Sequence, residues 1–165
     1  NNDGIGDLKG LEQKLDYISE MGFNGIWLMP ICQSQTYHKY DVVDYYTIDK
    51  EYGTNEDFKS MIKAAHEKGI NVIVDLVLNH SSSSNEWFRK ATTALKNGET
   101  SGENAKYIEY YNFSQTAQSG YKPVPNTSYY YEVFFLINVD GKIRACMHEV
   151  PLLLQAVQYI LHHFQ

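Results

Sequence analysis

The sequence is short of cysteine, of positive charge and of long apolar runs, and each shortage bears on the class of protein. Its only cysteines, Cys32 and Cys146, lie far apart with no metal-ligand spacing, so the redox compartment stays open. A formal net charge of −6 argues against nucleic acid or an anionic membrane surface as a partner. No apolar run is long enough to span a bilayer, so the sequence predicts no membrane span.

What is present is typical of a globular protein, either one domain or a piece of a larger one. The chain has 165 residues and a hydrophobic fraction of 43%. All but two of its 14 tyrosines cluster at 37–52 and 107–131, and such clusters occur in surfaces that bind small polar ligands as well as in cores. Without an initiator Met or a signal peptide, the chain is interpreted as a fragment or a processed product, and secreted and cytoplasmic locations both stay open.

A helix–glycine–strand unit occurs twice, which predicts an α/β fold with a parallel sheet. The first unit has an amphipathic helix over Leu8–Met21, Gly22 to end it, and a strand over Phe23–Met29. The second has a helix that begins at a Thr-Asn-Glu-Asp run, then Gly69, then a strand over Asn71–Leu78. Alternating helices and strands imply right-handed crossovers between parallel strands.

The second strand leads into polar residues that a purely structural strand does not need. Its β-branched residues predict burial on both faces, yet Asp75 lies within it, and Asn79 and His80 stand at its end. Polar residues at the carboxyl ends of parallel strands build the sites of α/β barrels and open sheets. The alternative is a strand that exits into a polar loop, and the strand alone does not separate the two.

The remaining segments are predicted in outline. Residues 31–52 form a long loop dense in Tyr, Asp and His, of the kind that tends to carry function. After His80 we expect a helix over 85–95, an irregular polar stretch over 97–128, a strand over 129–139 and a helix over 151–164.

The first seven residues have two interpretations. Oxygen-bearing side chains alternate along Asn1, Asp3 and Asp7, the backbone carbonyl of Ile5 falls in the same register, and glycines turn the chain. That order resembles the middle of a calcium loop. An EF-hand is excluded because Gly10 occupies the position where its Glu is needed. A turn rich in Asn and Asp also explains the pattern, and it is the favoured interpretation of this motif taken alone.

Three motifs in order resemble the α-amylase family of glycoside hydrolases. They are the loop before the first helix, the run Tyr-His-Lys-Tyr-Asp-Val-Val-Asp-Tyr-Tyr at Tyr37–Tyr46, and Asp-Leu-Val-Leu-Asn-His at Asp75–His80. The resemblance implies a partial (β/α)₈ TIM barrel containing about the second and third strands. It implies barrel residues at 1–80, an inserted irregular domain at 81–140 and a divergent, uncertain tail at 141–165.

The resemblance also implies roles for individual residues, on a starch- or maltodextrin-type α-glucan or a malto-oligosaccharide. Tyr40 stacks on the sugar at the cleavage subsite, His80 hydrogen-bonds a hydroxyl of that sugar, His38 lines the pocket and Asp75 braces it. The family pattern assigns probable Ca²⁺ ligands, which are Asn1, Asp3, Ile5 and Asp7 in one loop and Asn79 in a separate site.

The catalytic carboxyl groups are predicted to be absent from this chain. Retaining glycosidases need two carboxyl groups about 5 Å apart, and in this family they come from later strands. No Gly-x-Arg-x-Asp or Asn-His-Asp segment occurs. Residues 133–165 match no family pattern and are either genuine divergence or a shifted reading frame. We therefore expect an inactive fragment of a hydrolase or transferase, with a non-catalytic amylase-like subunit or binding module as the alternative, and α-1,4 or α-1,6 specificity open.

Overall fold

The computed structural model describes residues 4–77 and 80–132, which fall into two compact units. The first unit comprises residues 4–40 and 44–76, and the second comprises 41–43, 77 and 80–132. In chain order the elements are α1 (Leu8–Gln13), α2 (Leu15–Glu20), β1 (Gly25–Leu28), β2 (Cys32–Ser34), β3 (Val42–Ile48), α3 (Asn55–Glu67), β4 (Asn71–Val74), α4 (Glu86–Asn97), a 3₁₀ helix (Ala105–Tyr110), β5 (Phe113–Ser114), β6 (Tyr121–Pro123) and β7 (Tyr130–Glu132).

The helix predicted over Leu8–Met21 is two short helices, α1 and α2, so that prediction was wrong in its continuity. Asp7 caps α1 by accepting from the backbone N–H of Gly10 at 2.7 Å. The break is at Lys14, whose N–H donates to the carbonyl of Leu11 three residues back and tightens the turn. The predicted end at Gly22 is confirmed by its φ of 84°, a conformation that glycine adopts without strain.

Helix α3 begins and ends where the sequence predicts. The Thr54 side chain accepts from the N–H of Asp57, and the Asp57 carboxylate accepts from the N–H of Thr54, so two unpaired donors are satisfied at once. Gly69 follows the helix with a φ of 71°. The apolar side of α3, with Phe58 2% exposed and Met61 fully buried, lies in the core of the first unit.

Strands β1 and β4 form a parallel pair, as the repeated unit predicts, with Gly25 opposite Asn71 and Leu28 opposite Val74. Both are shorter than predicted. The core residues packed with this sheet come from α1, α2, α3, the end of β3 and the neighbouring loops: Leu8, Leu15, Ile31, Ile48, Phe58, Met61, Ala65 and Ile70. The burial on both faces predicted for the second strand was wrong, because Ile73 in β4 is 60% exposed. Its register partner Trp27 in β1 is 62% exposed.

The stretch predicted as a long loop over residues 31–52 contains a strand pair, β2 with β3. The pattern was missed because β2 is only three residues long and β3 mixes buried with exposed side chains. No closed barrel occurs in residues 4–77 and 80–132. Within the same ranges no helix has the length and apolar character needed to cross a membrane.

The second unit is a helix packed with small sheet and turn elements. Helix α4 begins at Glu86, one residue after the predicted start, and Asn85 caps it by accepting from the N–H of Trp87 at 2.9 Å. The region predicted as irregular contains the 3₁₀ helix and the strands β5 and β6, which join β7 in an antiparallel sheet in the order β5-β7-β6. Phe88 packs against Tyr111, Phe113 and Tyr131 with ring centroids 4.9–6.2 Å apart.

Some predictions fall on residues outside those described. The strand predicted over 129–139 is represented by β7, and its continuation from residue 133 lies outside. The same holds for the predicted helix over 151–164, the divergent tail at 141–165, and the positions of Asn1, Asp3 and Asn79. The proposed division into 1–80, 81–140 and 141–165 stays a prediction.

Candidate functional site

The turn between β2 and β3 carries His38 and Tyr40 in a defined conformation. The backbone N–H of Lys39 donates to the carbonyl of Thr36 at 3.3 Å, which closes the turn. The Nδ1 atom of His38 accepts from the backbone N–H of Tyr40 at 3.1 Å, and the two rings lie 6.0 Å apart. In a neutral imidazole that accepts at Nδ1 the proton sits on Nε2, so exposed His38 has a donor left for a ligand.

Tyr40 and Asp75 meet, although 35 positions separate them in the sequence. The Tyr40 hydroxyl donates to Asp75 Oδ2 at 2.7 Å. Asp75 itself is placed by its backbone N–H, which donates to the carbonyl of Leu28 at the end of β1 at 2.9 Å. The structure thus brings together three of the four predicted sugar contacts: His38, Tyr40 and Asp75.

The hydrogen bond between Tyr40 and Asp75 fixes the protonation and the direction of the phenol. Donation to Asp75, with burial and the Asp75 charge adding to it, raises the pKa of Tyr40 above its usual value. The phenol is therefore protonated at neutral pH and its O–H is committed to the carboxylate. What the ring retains for a ligand is its apolar faces, which suit the apolar side of a sugar.

Between His38 and Tyr40 stands a buried charged residue. The side chains of Lys39 and Asp49 are each 4% exposed, and the Lys39 ammonium lies 3.1 Å from Asp49 and 2.5 Å from Glu51. Burial disfavours the charged ammonium, but hydrogen bonds to Glu51 and Asp49 outweigh it and hold the pKa of Lys39 above its usual value. The same ammonium lies 5.4 Å from the ring centroid of Tyr52.

Asp49 is the centre of this ionic cluster, which we define as Lys39, Asp49 and Glu51. Its carboxylate accepts from the backbone N–H groups of Ser34 and Glu51, each at 3.0 Å. Burial alone raises a carboxyl pKa, but these bonds and the Lys39 charge outweigh it, so the pKa of Asp49 is lowered. The cluster therefore ties the end of β2 to the segment that follows β3.

Cys32 is a free thiol in β2. Burial, reinforced by the negative charge of Asp44, raises the pKa of Cys32 to about 12. Because the thiolate is the reactive form, this thiol is inert at neutral pH.

His80 belongs to the second unit, where the segment that follows it is held by a network of side chains. The Tyr111 hydroxyl lies 2.8 Å from Ser81 Oγ and 3.5 Å from Asn85 Oδ1. Asn85 is 2% exposed, and its amide nitrogen donates to the carbonyl of Val43 at 3.0 Å. His80 is half-buried and is followed at once by the residue that Tyr111 holds.

The predicted calcium ligands are only partly within the described residues. Asp7 caps α1 through one oxygen, and an ionised carboxylate keeps further lone pairs for a cation. Ile5 is 41% exposed, and a calcium ligand there is its backbone carbonyl. Residues 4–77 and 80–132 contain no group of three or more His, Cys, Asp or Glu side chains placed to hold a metal ion. The oxygen chemistry of Ile5 and Asp7 fits calcium, and the calcium assignment stays a prediction.

An apolar hollow of about 430 Å³ lies in the first unit, and neither Tyr40 nor Asp75 is among the residues that line it. It is lined by the start of α1 and by Leu28–Ile31 together with Tyr52. Its lining offers few polar groups that could hydrogen-bond sugar hydroxyls, so we do not interpret it as a second sugar-binding site.

Sequence reasoning missed the ionic cluster. Asp49 and Glu51 follow the strand β3, which was not predicted, so nothing in the local pattern brought them near Lys39. The signal that was available is the lysine itself, since a long charged residue inside a motif of aromatic and apolar residues needs a partner. Asp44, in the same motif, accepts from the N–H of Tyr46 at 2.9 Å and from the Thr47 hydroxyl.

A family model, curated proteins and solved structures were each compared with this chain, and all three comparisons give matches to amylases or glucosidases. A family model described as alpha amylase, catalytic domain, matches residues 1–137. Alpha-amylase 3 of Dictyoglomus thermophilum is 43% identical over 143 residues, which is 82% of this chain and 26% of that protein. An oligo-1,6-glucosidase of Saccharomyces cerevisiae is 48% identical over 98 residues, which is 59% of this chain and 17% of that protein.

A solved structure, that of Eubacterium rectale Amy13B, gives a TM-score of 0.77 at 43% identity and covers 99% of this chain and 31% of that one. This chain therefore spans a third or less of the length of the relatives it matches. The match of the family model extends from the first residue through β7 and includes all three motifs. The chain therefore belongs to the alpha-amylase family of glycoside hydrolases.

Proposed function

We propose that this chain forms part of the sugar-binding pocket of an enzyme that acts on α-glucosidic bonds in starch- or maltodextrin-type α-glucans. The observation that carries the proposal is the hydrogen bond of Tyr40 to Asp75, because it orients an aromatic ring beside a strand end. The family resemblance assigns sugar contact to the motif that contains Tyr40. His38 adds a donor at Nε2 in its neutral form.

His80 is proposed as a further sugar contact on the strength of its motif. An imidazole donates to or accepts from a sugar hydroxyl, and the side-chain network that begins at Ser81 fixes the backbone next to it. Asp75 acts as a support in this proposal, since its Oδ2 is occupied by the Tyr40 hydroxyl.

We further propose that the bond-breaking carboxyl groups are not contributed by this chain. The sequence contains no Gly-x-Arg-x-Asp or Asn-His-Asp segment, and retaining hydrolysis needs a nucleophile and an acid/base placed on opposite sides of the scissile bond. This chain then binds and orients a glucose unit, while a longer polypeptide supplies the chemistry. Calcium held by the loop of Asn1, Asp3, Ile5 and Asp7 is proposed to brace the start of α1.

The test is binding of maltotriose, measured by calorimetry, with Tyr40→Ala as the variant and Tyr17→Ala as the matched control. Tyr17 lies on α2 of the same unit and is 61% exposed, so its removal takes away a tyrosine without touching the site. We expect Tyr40→Ala to weaken binding by about tenfold, because the ring supplies the main apolar contact. Equal affinity in the two variants would remove Tyr40 from the pocket.

Activity separates the hydrolase fragment from the alternatives. This chain of 165 residues is expected to release no reducing sugar from starch, whereas a version extended with downstream family sequence releases it. Release by the chain of 165 residues contradicts the assignment of the missing carboxyl groups. Binding without activity in the extended version identifies a non-catalytic binding module instead.

A further inference from the structure

The residue between His38 and Tyr40 has a backbone conformation that its side chain does not favour. Lys39 has a φ of 62°, in the left-handed region where glycine is the usual residue. A non-glycine residue persists there only when its surroundings hold it in place. The question is therefore what Lys39 contributes that glycine cannot.

The answer lies in the ionic cluster. The side chain of Lys39 is directed inward, and its ammonium bridges Asp49 and Glu51 while both Lys39 and Asp49 are almost fully buried. Asp49 is held in turn by the backbone N–H of Ser34, on the other side of the same turn. The cluster therefore clamps the turn from the inside and fixes the backbone from which Tyr40 departs.

Tyr40 depends on that backbone at two points. Its N–H donates to His38, the residue before Lys39, and its hydroxyl must reach Asp75 at 2.7 Å. A change in the direction of the backbone at Lys39 moves the ring and loosens both bonds. We propose that Lys39 is a positioning residue for sugar binding, which sets the orientation of the Tyr40 ring through its buried ion pairs with Asp49 and Glu51.

This inference rests on the proposed function, and its test has one readout that does not need sugar. Lys39→Met keeps the length of the side chain and removes its charge. Lys39→Gly removes the charge and also the strain of a positive φ, which glycine adopts freely. Lys39→Arg keeps the charge. Lys68→Met is the matched control, because Lys68 pairs with Asp16 at the surface of the same unit. The readouts are the ¹³Cζ resonance of Tyr40 and the dissociation constant for maltotriose.

We expect Lys39→Met and Lys39→Gly to shift the Tyr40 resonance toward that of a solvent-exposed tyrosine and to weaken maltotriose binding by about tenfold. Lys39→Arg restores most of both signals, and Lys68→Met changes neither. A purely structural role predicts a different pattern. If the role is purely structural, the double variant Lys39→Met with Asp49→Asn recovers both its stability to urea and the wild-type Tyr40 resonance. If Lys39 positions Tyr40, the double variant recovers its stability to urea while the Tyr40 resonance stays shifted.

A Tyr40 resonance that is unchanged in Lys39→Met overturns the inference. If wild type itself fails to bind maltotriose, the proposed function is wrong, and the resonance alone still decides whether Lys39 sets the position of Tyr40. If wild type binds and the resonance shifts without any loss of affinity, the positioning role for sugar is wrong while the proposed function stands.

Discussion

The hydroxyl of Tyr111 allows a prediction whose sign depends on pH. Replacement by Phe keeps the ring that packs on Phe88 and removes the hydroxyl's hydrogen bond of 2.8 Å with Ser81, together with a contact to the Phe88 backbone. The remaining contact, 3.5 Å from Asn85, is at the limit of hydrogen bonding and contributes little. One neutral hydrogen bond contributes about 1 kcal/mol, so Tyr111→Phe is expected to lower the free energy of unfolding by about 1 kcal/mol at pH 7.

At alkaline pH the difference is expected to vanish and then reverse. Burial raises the pKa of Tyr111 well above its usual value, which is about 10 in an unfolded chain. A group with a raised folded pKa stabilises the protein fully below the unfolded pKa and loses that contribution as pH rises toward the folded value. The loss is about 1.4 kcal/mol per pH unit, so wild type and Tyr111→Phe are expected to be equally stable near pH 11.

The assay is urea unfolding of both proteins at pH 7, 10 and 11, followed by the far-ultraviolet circular dichroism of dilute samples. Tyr17→Phe serves as the control, since it removes a hydroxyl from an exposed tyrosine and is expected to change stability by less than about 0.5 kcal/mol at pH 7. The other tyrosines are common to wild type and Tyr111→Phe and cancel in the difference. A gap of about 1 kcal/mol that persists unchanged at pH 11 would refute the reasoning.

Three further predictions concern the first unit. The open sheet face around Trp27 is expected to make this chain associate, so that light scattering gives a mass above the monomer mass of 19.0 kDa. Trp27→Lys is expected to reduce that association, and a stable wild-type monomer contradicts the prediction. Calcium is expected to raise the melting temperature of wild type and not that of Asp7→Ala. Without calcium, Asp7→Ala is already less stable by about 1 kcal/mol, because it loses the cap of α1. An equal rise in melting temperature in both proteins speaks against the calcium loop. Because the pKa of Asp49 is lowered in the folded protein, its contribution to stability is present above the usual carboxyl pKa and is lost as pH falls through the folded pKa. The free energy of unfolding of Asp49→Asn is therefore expected to depend less on pH in acid than that of wild type. Identical pH slopes in the two proteins contradict this.

The parts of the fold that follow local chemistry were predictable. Gly22 and Gly69 both adopt positive φ at helix ends, and Thr54 forms the capping box that its spacing to Asp57 suggests. Such signals act within a few residues, so a sequence reveals them without knowledge of the rest of the chain. The parallel pairing of β1 and β4 followed from the repetition of the same unit.

The parts that depend on distant partners were not predictable from local patterns. Strands β2, β5 and β6 have only two or three residues each, too few to show alternation, and pairing with another segment makes them strands. The same reason hid the ion pair of Lys39 with Asp49. The meeting of Tyr40 with Asp75 was expected only through the family motif, because no rule of spacing joins residues 35 positions apart.

The parallel register of β1 and β4 limits which changes in length this chain tolerates. Leu28 stands opposite Val74, and the carbonyl of Leu28 accepts from the backbone N–H of Asp75, the next residue. This pairing places the Asp75 carboxylate within hydrogen-bonding distance of the Tyr40 hydroxyl. Successive side chains alternate between the faces of a strand, so deleting one residue between Gly69 and Asp75 turns the carboxylate to the opposite side and ends its contact with the phenol. The exposed residues 100–103, between α4 and the 3₁₀ helix, lie outside both of these strands, so natural variation in length should accumulate there and stay rare before Asp75.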